Sequence, residues 1–303
     1  MAGLLERIRR AGRPPLHTMT PAEARRAYAA GAEVLEPPRT ALARVQDVHL
    51  PGGDGQLRTA RLYAPSHAEL PVLLYLHGGG FVVGGVETHD VLCRQLARRS
   101  GGAVVSLDYR LAPEHPYPAA VDDTWAALRW LMEHGSTLGL DTRRLAIGGD
   151  SAGGTLAAVA ALMARDAGLA LALQLLITPG TAAFADLPSH RRFAEGYLLD
   201  AATIAWFFDH TIPCEQRTDW RFAPLEAGEL DGVASACVVL AECDPVVDEG
   251  IAYADRLRAA GVPVSLELYR GVTHDFIKMG RVLPEAAQAL DACATALQGA
   301  WFP

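Results

Sequence analysis

The sequence predicts an α/β fold in which a mainly parallel central sheet is flanked by helices. Beyond residue 71, apolar runs that are typical of buried strands alternate with helical segments. This alternation is typical of a parallel sheet covered by helices on both faces. The chain has 303 residues, of which 50% are hydrophobic, so it is long enough to bury a large core.

The first segment of the chain, residues 1–40, is predicted to form one or two short helices. A helix start is indicated by Thr20 as N-cap and Pro21 in the first turn. The pair Pro37-Pro38 then ends the segment, because proline cannot continue a helix.

Eight strands and five helices are predicted after this segment. The first two strands, expected at 45–50 and 57–63, are predicted from alternating residues on either side of a turn. The other six are predicted from apolar runs at 72–76, 103–107, 145–147, 171–177, 237–241 and 264–268. The helices are expected at about 88–99, 119–134, 152–166, 248–260 and 284–299. A glycine-rich turn at 51–55 connects the first two strands.

The stretch 181–232 interrupts the alternation. It is rich in aromatic and turn residues, and it is predicted to be helical with loops. An insertion of this size at the carboxyl ends of the strands suggests a lid over a site. Most of its aromatic side chains are expected to pack on the domain.

The amino-acid composition indicates which partners, location and cysteine state to expect. A formal net charge of −8 argues against nucleic acid and anionic membranes as partners. No apolar run reaches the length of a membrane span, and the first 19 residues lack the apolar core of a secretory signal, so a cytoplasmic location is expected. The 5 cysteines form no C-x-x-C pair and are predicted to be free thiols.

A glycine-flanked serine predicts the nucleophile. The run Gly149-Asp150-Ser151-Ala152-Gly153 follows a predicted strand and opens an alanine-rich helix. This is the strand–turn–helix context that a G-x-S-x-G nucleophile elbow requires. The glycines let strand and helix approach closely, and the N-terminus of the helix favours a developing anion. Ser151 is therefore the predicted nucleophile of a hydrolase.

A serine nucleophile needs a base, and in this kind of site the chain order is serine, acid, histidine. That order leaves His190, His210 and His274. The first two lie in the insertion, whereas His274 follows the last strand, so His274 is the predicted base. Since the base must be neutral, activity is expected to rise with pH through a pKa near 7.

The acid is expected to follow the strand before His274. Asp244 lies nearest the end of that strand and is held by Pro245, so it is favoured, with Glu242 as its main rival. Asp248 and Glu249 begin a helix, where carboxylates commonly stabilise the N-terminus.

A second glycine-rich run, His77-Gly78-Gly79-Gly80-Phe81, ends the strand 72–76. Its backbone N–H groups at Gly79 and Gly80, with that of Ala152, are predicted to form an oxyanion hole. A dinucleotide-binding loop is discounted, because its G-x-G-x-x-G spacing requires glycine where Val83 stands.

Four linked motifs resemble the hormone-sensitive-lipase-like family of bacterial carboxylesterases. They are the two glycine runs above, Tyr109–Ala120 (YRLAPEHPYPAA) and Asp244–Glu249 (DPVVDE). The resemblance covers nearly the whole chain and implies an α/β-hydrolase fold. It also implies a catalytic domain of residues 41–180 and 233–303, with a cap built from residues 1–40 and 181–232. The usual triad of the family falls on Ser151, Asp244 and His274.

Two groups of charged residues are expected to be structural. Asp108, Arg110 and Glu114 are predicted to form a buried ion-pair network, and Asp150 to support the site from beside the nucleophile.

The resemblance and the triad imply a serine carboxylesterase that cleaves short- to medium-chain esters through an acyl-enzyme, with no metal or organic cofactor. Phe81, Tyr197, Trp206 and Phe207 are candidates for lining the acyl pocket. The expected partner is a small-molecule ester, without stable membrane association, and the resemblance suggests a possible homodimer. Three alternatives stay open: an amide or peptide hydrolase, an acyltransferase, and a non-enzymatic ligand receptor on the same fold.

Overall fold

The structure is a computed structural model that describes residues 1–302. Its strands, in chain order, are β1 (Arg44–Pro51), β2 (Leu57–Ala64), β3 (Leu70–Leu76), β4 (Ala103–Leu107), β5 (Leu140–Asp150), β6 (Gln174–Ile177), β7 (Ala236–Cys243) and β8 (Val264–Thr273). They form one sheet in the order β1-β2-β4-β3-β5-β6-β7-β8. Only the β1–β2 and β2–β4 pairings are antiparallel, and the other pairings of neighbours are parallel.

Helices flank the sheet and extend beyond it. They are α1 (Ala2–Arg10), α2 (Pro21–Gly31), α3 (Asp90–Ser100), α4 (Ala119–His134), α5 (Ala152–Asp166), α6 (Pro188–Arg192), α7 (Ala201–Thr211), α8 (Val247–Ala259) and α9 (Pro284–Trp301). The predicted α/β fold with a mainly parallel, helix-flanked sheet is confirmed. Among residues 1–302, no helix combines the length and the apolarity that crossing a membrane requires.

The sheet separates two hydrophobic cores. Successive side chains of a strand point to opposite faces, and β3 shows the consequence. Val72 and Leu74 pack in the core that α4, α5 and α8 cover, whereas Leu73 and Tyr75 pack in the core that α3 and α9 cover. The central strands are therefore buried on both sides, which explains their continuous apolar sequences.

The elements agree with the sequence best where the apolar pattern is strong. β4 and α4 have the predicted bounds, and Thr20 caps α2 in a capping box with Glu23. The prediction 145–147 for β5 was too short, because β5 begins at Leu140 with a charged stretch that pairs with the start of β3. β6 is shorter than the predicted 171–177, since its ladder with β5 and β7 begins at Gln174.

The insertion 181–232 contains α6, α7 and connecting loops, and it lies against the N-terminal segment. His17 follows α1 in the chain, and its Nδ1 atom is 3.0 Å from the Thr203 Oγ1 atom of α7. The ring of Phe207 in α7 packs directly on Gly80, so closely that a Cβ atom at Gly80 would overlap it. The insertion therefore contacts both the N-terminal segment and the glycine loop that follows β3.

Candidate active site

Ser151 occupies the sharp turn between β5 and α5. Its backbone has φ 53° and ψ −122°, a conformation that non-glycine residues rarely adopt and that is expected of a nucleophile elbow. Gly153 is required by the tightness of this turn, because a Cβ atom there would overlap the carbonyl oxygen of Leu76 at the end of β3. The turn therefore holds Ser151 at the carboxyl edge of the sheet.

The structure brings Ser151, His274 and Asp244 into one line of hydrogen bonds. His274 Nε2 is 2.9 Å from Ser151 Oγ, and His274 Nδ1 is 2.7 Å from Asp244 Oδ2. The other carboxylate oxygen of Asp244 accepts the backbone N–H of Val246 at 3.1 Å. This geometry holds the imidazole with Nε2 towards the serine hydroxyl.

The rival acid, Glu242, does not reach the imidazole. Its side chain is exposed and accepts the backbone N–H of Gly271 at 2.7 Å. Asp244, by contrast, is fully buried beside His274. Glu242 lies within β7, whereas Asp244 follows the end of the strand and begins the turn to α8, so the two carboxylates have opposite environments.

The electrostatics of the site raise the pKa of His274 to about 9. Burial disfavours the imidazolium and acts to lower this pKa, but the charge and hydrogen bond of Asp244 outweigh it, with further contributions from the charges of Asp275 and Asp150. The imidazolium is thus strongly stabilised in the folded protein. The pKa lies above the value near 7 expected from the sequence.

The predicted oxyanion-hole residues surround the nucleophile. Gly80 and Ala152 line the same cavity as Ser151, and Gly79 precedes them on the glycine loop with φ +123°. Among residues 1–302, the backbone N–H groups of Gly79, Gly80 and Ala152 have no hydrogen-bond acceptor. An oxyanion hole requires donors that are unpaired in this way.

The cavity at Ser151 is mostly apolar and has a volume of about 60 Å³. Of the predicted substrate-binding residues, the structure brings Phe81 and Phe207 to its wall. Phe184, Phe208 and Phe222 also line it, although the sequence favoured a packing role for most aromatics of the insertion. Aromatic composition of the insertion was the available signal, but it did not indicate which rings face inward.

Tyr197 and Trp206 lie outside this wall. Tyr197 packs edge-on against Phe193 and lines a separate surface groove beside α1 and α2. Trp206 packs against His210, with ring centroids 4.4 Å apart, and against the outer side of Phe207.

A second carboxylate–histidine pair forms part of the cavity wall. Glu249 Oε1 is 3.2 Å from His190 Nε2, and Glu249 Oε2 accepts the backbone N–H groups of Thr181 and Ala182. Burial raises the pKa of Glu249, although the bonds from His190 oppose this. The sequence indicated only a helix-start role for Glu249. Its position three residues into a helix gave no sign that it ties the insertion to α8.

Asp150, next to the nucleophile, is the centre of a buried polar network. It accepts the hydroxyl of Tyr75 at 2.5 Å and the backbone N–H of Gly78 at 3.1 Å, and it lies 3.1 Å from His89 Nε2. Burial acts to raise its pKa, but His89, the charge of Lys278 and the Tyr75 hydroxyl hold the pKa well below its usual range. Asp150 therefore joins β3, the glycine loop and the elbow.

The prediction of a buried ion-pair network among Asp108, Arg110 and Glu114 was wrong, because within residues 1–302 none of the three forms an ion pair with another. Arg110 binds the buried carboxylate of Asp123 at 2.8 Å. Glu114 pairs instead with Arg25 of α2 at 2.5 Å, and Asp108 is exposed. Arg25 also donates to the carbonyl oxygen of Val82, so it links α2 to the end of the glycine loop.

Comparison with known proteins identifies relatives over nearly the whole chain. The chain is 41% identical to an ethyl acetate hydrolase of Pseudomonas putida over 304 residues, covering 97% of this chain and 95% of the relative. It is 43% identical to the esterase LipI of Mycobacterium tuberculosis over 268 residues, covering 84% and 82% of the two chains.

Solved structures of esterases also resemble this chain over nearly its whole length. An ester hydrolase from the metagenome of Lake Arreo, solved with a bipyridine phosphonate derivative, superposes with a TM-score of 0.93 at 41% identity, covering 98% of this chain and 96% of that one. A thermostable esterase of Pseudomonas putida has a TM-score of 0.93 at 36% identity, covering 99% and 96%. The family described as alpha/beta hydrolase fold matches residues 73–278. The chain therefore belongs to the α/β-hydrolase fold family, among its hormone-sensitive-lipase-like esterases.

Proposed function

We propose that this protein is a serine carboxylesterase that hydrolyses small carboxylic esters. The observation that carries the proposal is the hydrogen-bonded line from Ser151 Oγ through His274 to Asp244, at 2.9 and 2.7 Å. This line ends in a mostly apolar cavity, near backbone N–H donors that have no acceptor within the described residues 1–302. The combination is suited to acyl transfer from an ester.

In the first step, His274 Nε2 accepts the proton of Ser151 Oγ as that oxygen attacks the ester carbonyl. The new C–O bond forms while the carbonyl π electrons move to oxygen, and the N–H groups of Gly79, Gly80 and Ala152 stabilise this oxyanion. The imidazolium then protonates the departing alcohol, which leaves an acyl group on Ser151.

In the second step, the same residues act on water. His274 removes a proton from a water molecule as its oxygen attacks the acyl carbonyl, and the oxyanion again receives the backbone N–H bonds. Collapse of this intermediate breaks the bond to Ser151 Oγ, which recovers its proton from His274. The products are a carboxylic acid and the free enzyme.

We further propose that residues 1–40 and 181–232 form a cap over this site, on a catalytic domain of residues 41–180 and 233–303. Two contacts support it: the pair His17–Thr203 joins the two segments, and Phe207 packs on Gly80. A cap in this position limits the volume available to the acyl chain, which favours short- to medium-chain esters. The possible homodimer and the cytoplasmic location remain predictions from the sequence.

The first experiment compares hydrolysis of p-nitrophenyl esters from acetate to palmitate by the wild type, Ser151→Ala and Ser136→Ala. We expect a short-chain optimum that Ser151→Ala lowers by about 10⁴-fold or more, because the nucleophile is lost. Ser136 lies on an exposed turn and serves as the matched control. Turnover that survives Ser151→Ala would overturn the mechanism, and a folded wild type inactive on every ester would favour the receptor alternative.

Substitutions of two adjacent aromatic residues in α7, Trp206 and Phe207, test which side chains line the acyl pocket. We expect Phe207→Ala to extend activity towards longer acyl chains, since it removes a ring from the cavity wall. Trp206→Ala is the matched control, because Trp206 packs outside that wall against His210. The measurement is kcat/KM across the ester series, with Tm for each variant. Equal changes of selectivity in both variants would contradict the assignment of Phe207 to the pocket.

A further inference from the structure

The imidazole of His274 lies between two carboxylates, one near each ring nitrogen. Asp244 binds Nδ1 at 2.7 Å. On the other side, Asp275 Oδ1 lies 3.9 Å from Nε2, the nitrogen that is 2.9 Å from Ser151 Oγ. The mechanism above uses Asp244 and makes no use of Asp275.

The backbone of Asp275 adopts a left-handed conformation, with φ 60° and ψ 13°. Few non-glycine residues adopt it, although aspartate and asparagine tolerate it better than most. The turn itself requires only the carbonyl oxygen of Asp275, which accepts the N–H of Lys278 at 3.0 Å. The local structure therefore accounts for the backbone but not for a carboxylate at this position.

The side chain of Asp275 is incompletely satisfied. Its Oδ1 is buried, and among residues 1–302 it has no hydrogen-bond partner. An unpaired buried acceptor normally destabilises the folded state, and a charged one does so more. The side chain as a whole is 32% exposed, so the carboxylate is only partly removed from water, and its Oδ1 lies 3.9 Å from Nε2 of His274.

We infer that Asp275 is a second positioning residue for His274, whose carboxylate stabilises the imidazolium from the Nε2 side during acyl transfer. This inference rests on the proposed function. When Ser151 loses its proton, the O–H bond breaks, the Nε2–H bond forms and the ring gains one positive charge. At 3.9 Å, Asp275 attracts that charge without taking the Nε2 proton in a hydrogen bond, so the proton stays free for the leaving alcohol.

Other charged groups act on the same ring and on Asp275. Asp244 at the end of β7 and Asp150 at the elbow also favour the imidazolium. The charge of Asp275 also reaches the Tyr28 hydroxyl and the Glu36 carboxyl. The Lys278 ammonium lies 3.5 Å from that hydroxyl and 3.9 Å from that carboxyl. Asp275 is distinguished from these groups by its position beside Nε2.

The test measures the pH dependence of p-nitrophenyl acetate hydrolysis for the wild type, Asp275→Asn and Asp275→Gly. Both variants suit a left-handed backbone, so they remove the charge without adding strain. Asp255→Asn, on the exposed side of α8, removes an equal charge as a control. In parallel, the Nδ1 proton of His274 is titrated by NMR in Ser151→Ala, with and without Asp275→Asn.

We expect the acidic limb of kcat/KM to move to lower pH by about one unit in both Asp275 variants, because the imidazolium loses an adjacent anion. We also expect the alkaline plateau of kcat to fall about three- to tenfold with little change in KM. The NMR titration should shift in the same direction, and Tm should not fall.

Two results would overturn the inference. One is a pH profile of the Asp275 variants that superposes on that of Asp255→Asn. The other is a loss of activity that accompanies a lower Tm while the acidic limb of kcat/KM stays at the same pH. Failure of the proposed function gives a different result. In that case Ser151→Ala retains activity, or the wild type shows no acidic limb at all.

Discussion

Two buried polar regions flank the candidate site, and they differ in how completely their groups are paired. The Asp150 network (Tyr75, Gly78, His89, Asp150) lies beneath the glycine loop, and its carboxylate contacts all three other members at 2.5 to 3.1 Å. The Asp275 cluster (Tyr28, Glu36, Asp275, Lys278) lies on the Nε2 side of His274, and its contacts are long: Lys278 is 3.5 Å from the Tyr28 hydroxyl and 3.9 Å from Glu36, and Asp275 is 3.9 Å from Nε2. Glu36 Oε1 and Asp275 Oδ1 have no hydrogen-bond partner among residues 1–302.

The difference indicates separate roles for the two regions. A buried network in which the carboxylate is fully bonded stabilises one conformation, and here it holds β3, the glycine loop and the elbow together. Asp275, whose Oδ1 has no hydrogen-bond partner among residues 1–302, adds little to stability, but its partly exposed carboxylate lies 3.9 Å from a ring nitrogen of His274. We therefore expect substitutions in the Asp150 network to change stability, and substitutions in the Asp275 cluster to change pH dependence.

The largest effect is expected for Asp150→Ala. It leaves the Tyr75 hydroxyl, the Gly78 N–H and His89 buried without their acceptor. We expect the free energy of unfolding to fall by about 3–5 kcal/mol, as when one partner of a buried charged pair is removed. Urea denaturation at pH 7 measures it. A loss below about 1 kcal/mol would contradict the structural role of the network.

Tyr75→Phe removes one bond of the same network and keeps the ring. Since the bond is made to a charged group, we expect a loss of about 1.5–3 kcal/mol, smaller than that of Asp150→Ala. The control is Tyr253→Phe, because Tyr253 is equally buried but its hydroxyl has no partner among residues 1–302. If both phenylalanine variants lost the same stability, the Tyr75–Asp150 bond would not be the cause.

The smallest effect is expected for Glu36→Gln, and it should depend on pH. Burial raises the pKa of Glu36 to about 8, although the charge of Lys278 opposes the shift. Between its usual pKa of about 4.5 and 8, the unfolded chain releases a proton that the folded chain keeps. The wild type therefore loses stability as pH rises through this window, and Glu36→Gln removes that loss.

The measurement for Glu36 is the free energy of unfolding at pH 5 and at pH 6. We expect Glu36→Gln to be more stable than the wild type at pH 6 by about 1 kcal/mol relative to the difference at pH 5. A stability difference that is the same at both pH values would show that Glu36 ionises normally in the folded chain. In that case Glu36 would not show the pH-dependent behaviour that distinguishes the Asp275 cluster from the Asp150 network.

How far the sequence predicted the structure depends on how local the determining interactions are. β4 was predicted with its observed bounds, because its apolar run is continuous. The first half of β5 was missed, because Asp141 pairs there with Arg143 and Arg144 and the apolar pattern is absent. Strand pairing with β3, rather than local propensity, extends β5 to Leu140.

The lining of the cavity shows the same limit. Trp206 and Phe207 are adjacent in α7, and both were predicted to bind substrate. Neighbouring positions on a helix point about 100° apart, so only one of them faces the glycine loop. Which one does so depends on the rotation of α7 about its axis, and that rotation is set by packing against distant residues such as Gly80.

The order of strands and helices along the chain, the tight turn at Ser151 and the candidate site residues could be predicted from the amino-acid sequence alone. These follow from apolar periodicity, from glycine at close approaches and from chain order, all of which are local or sequential properties. The sequence favoured Asp244 over Glu242 as the acid, and the folded chain shows the contact of Asp244 with His274. The position of Asp275 Oδ1, near Nε2 and without a hydrogen-bond partner among residues 1–302, could be seen only in the tertiary structure. Those outcomes depend on how three loops converge at one edge of the sheet, since differences of a few ångströms decide which charges interact.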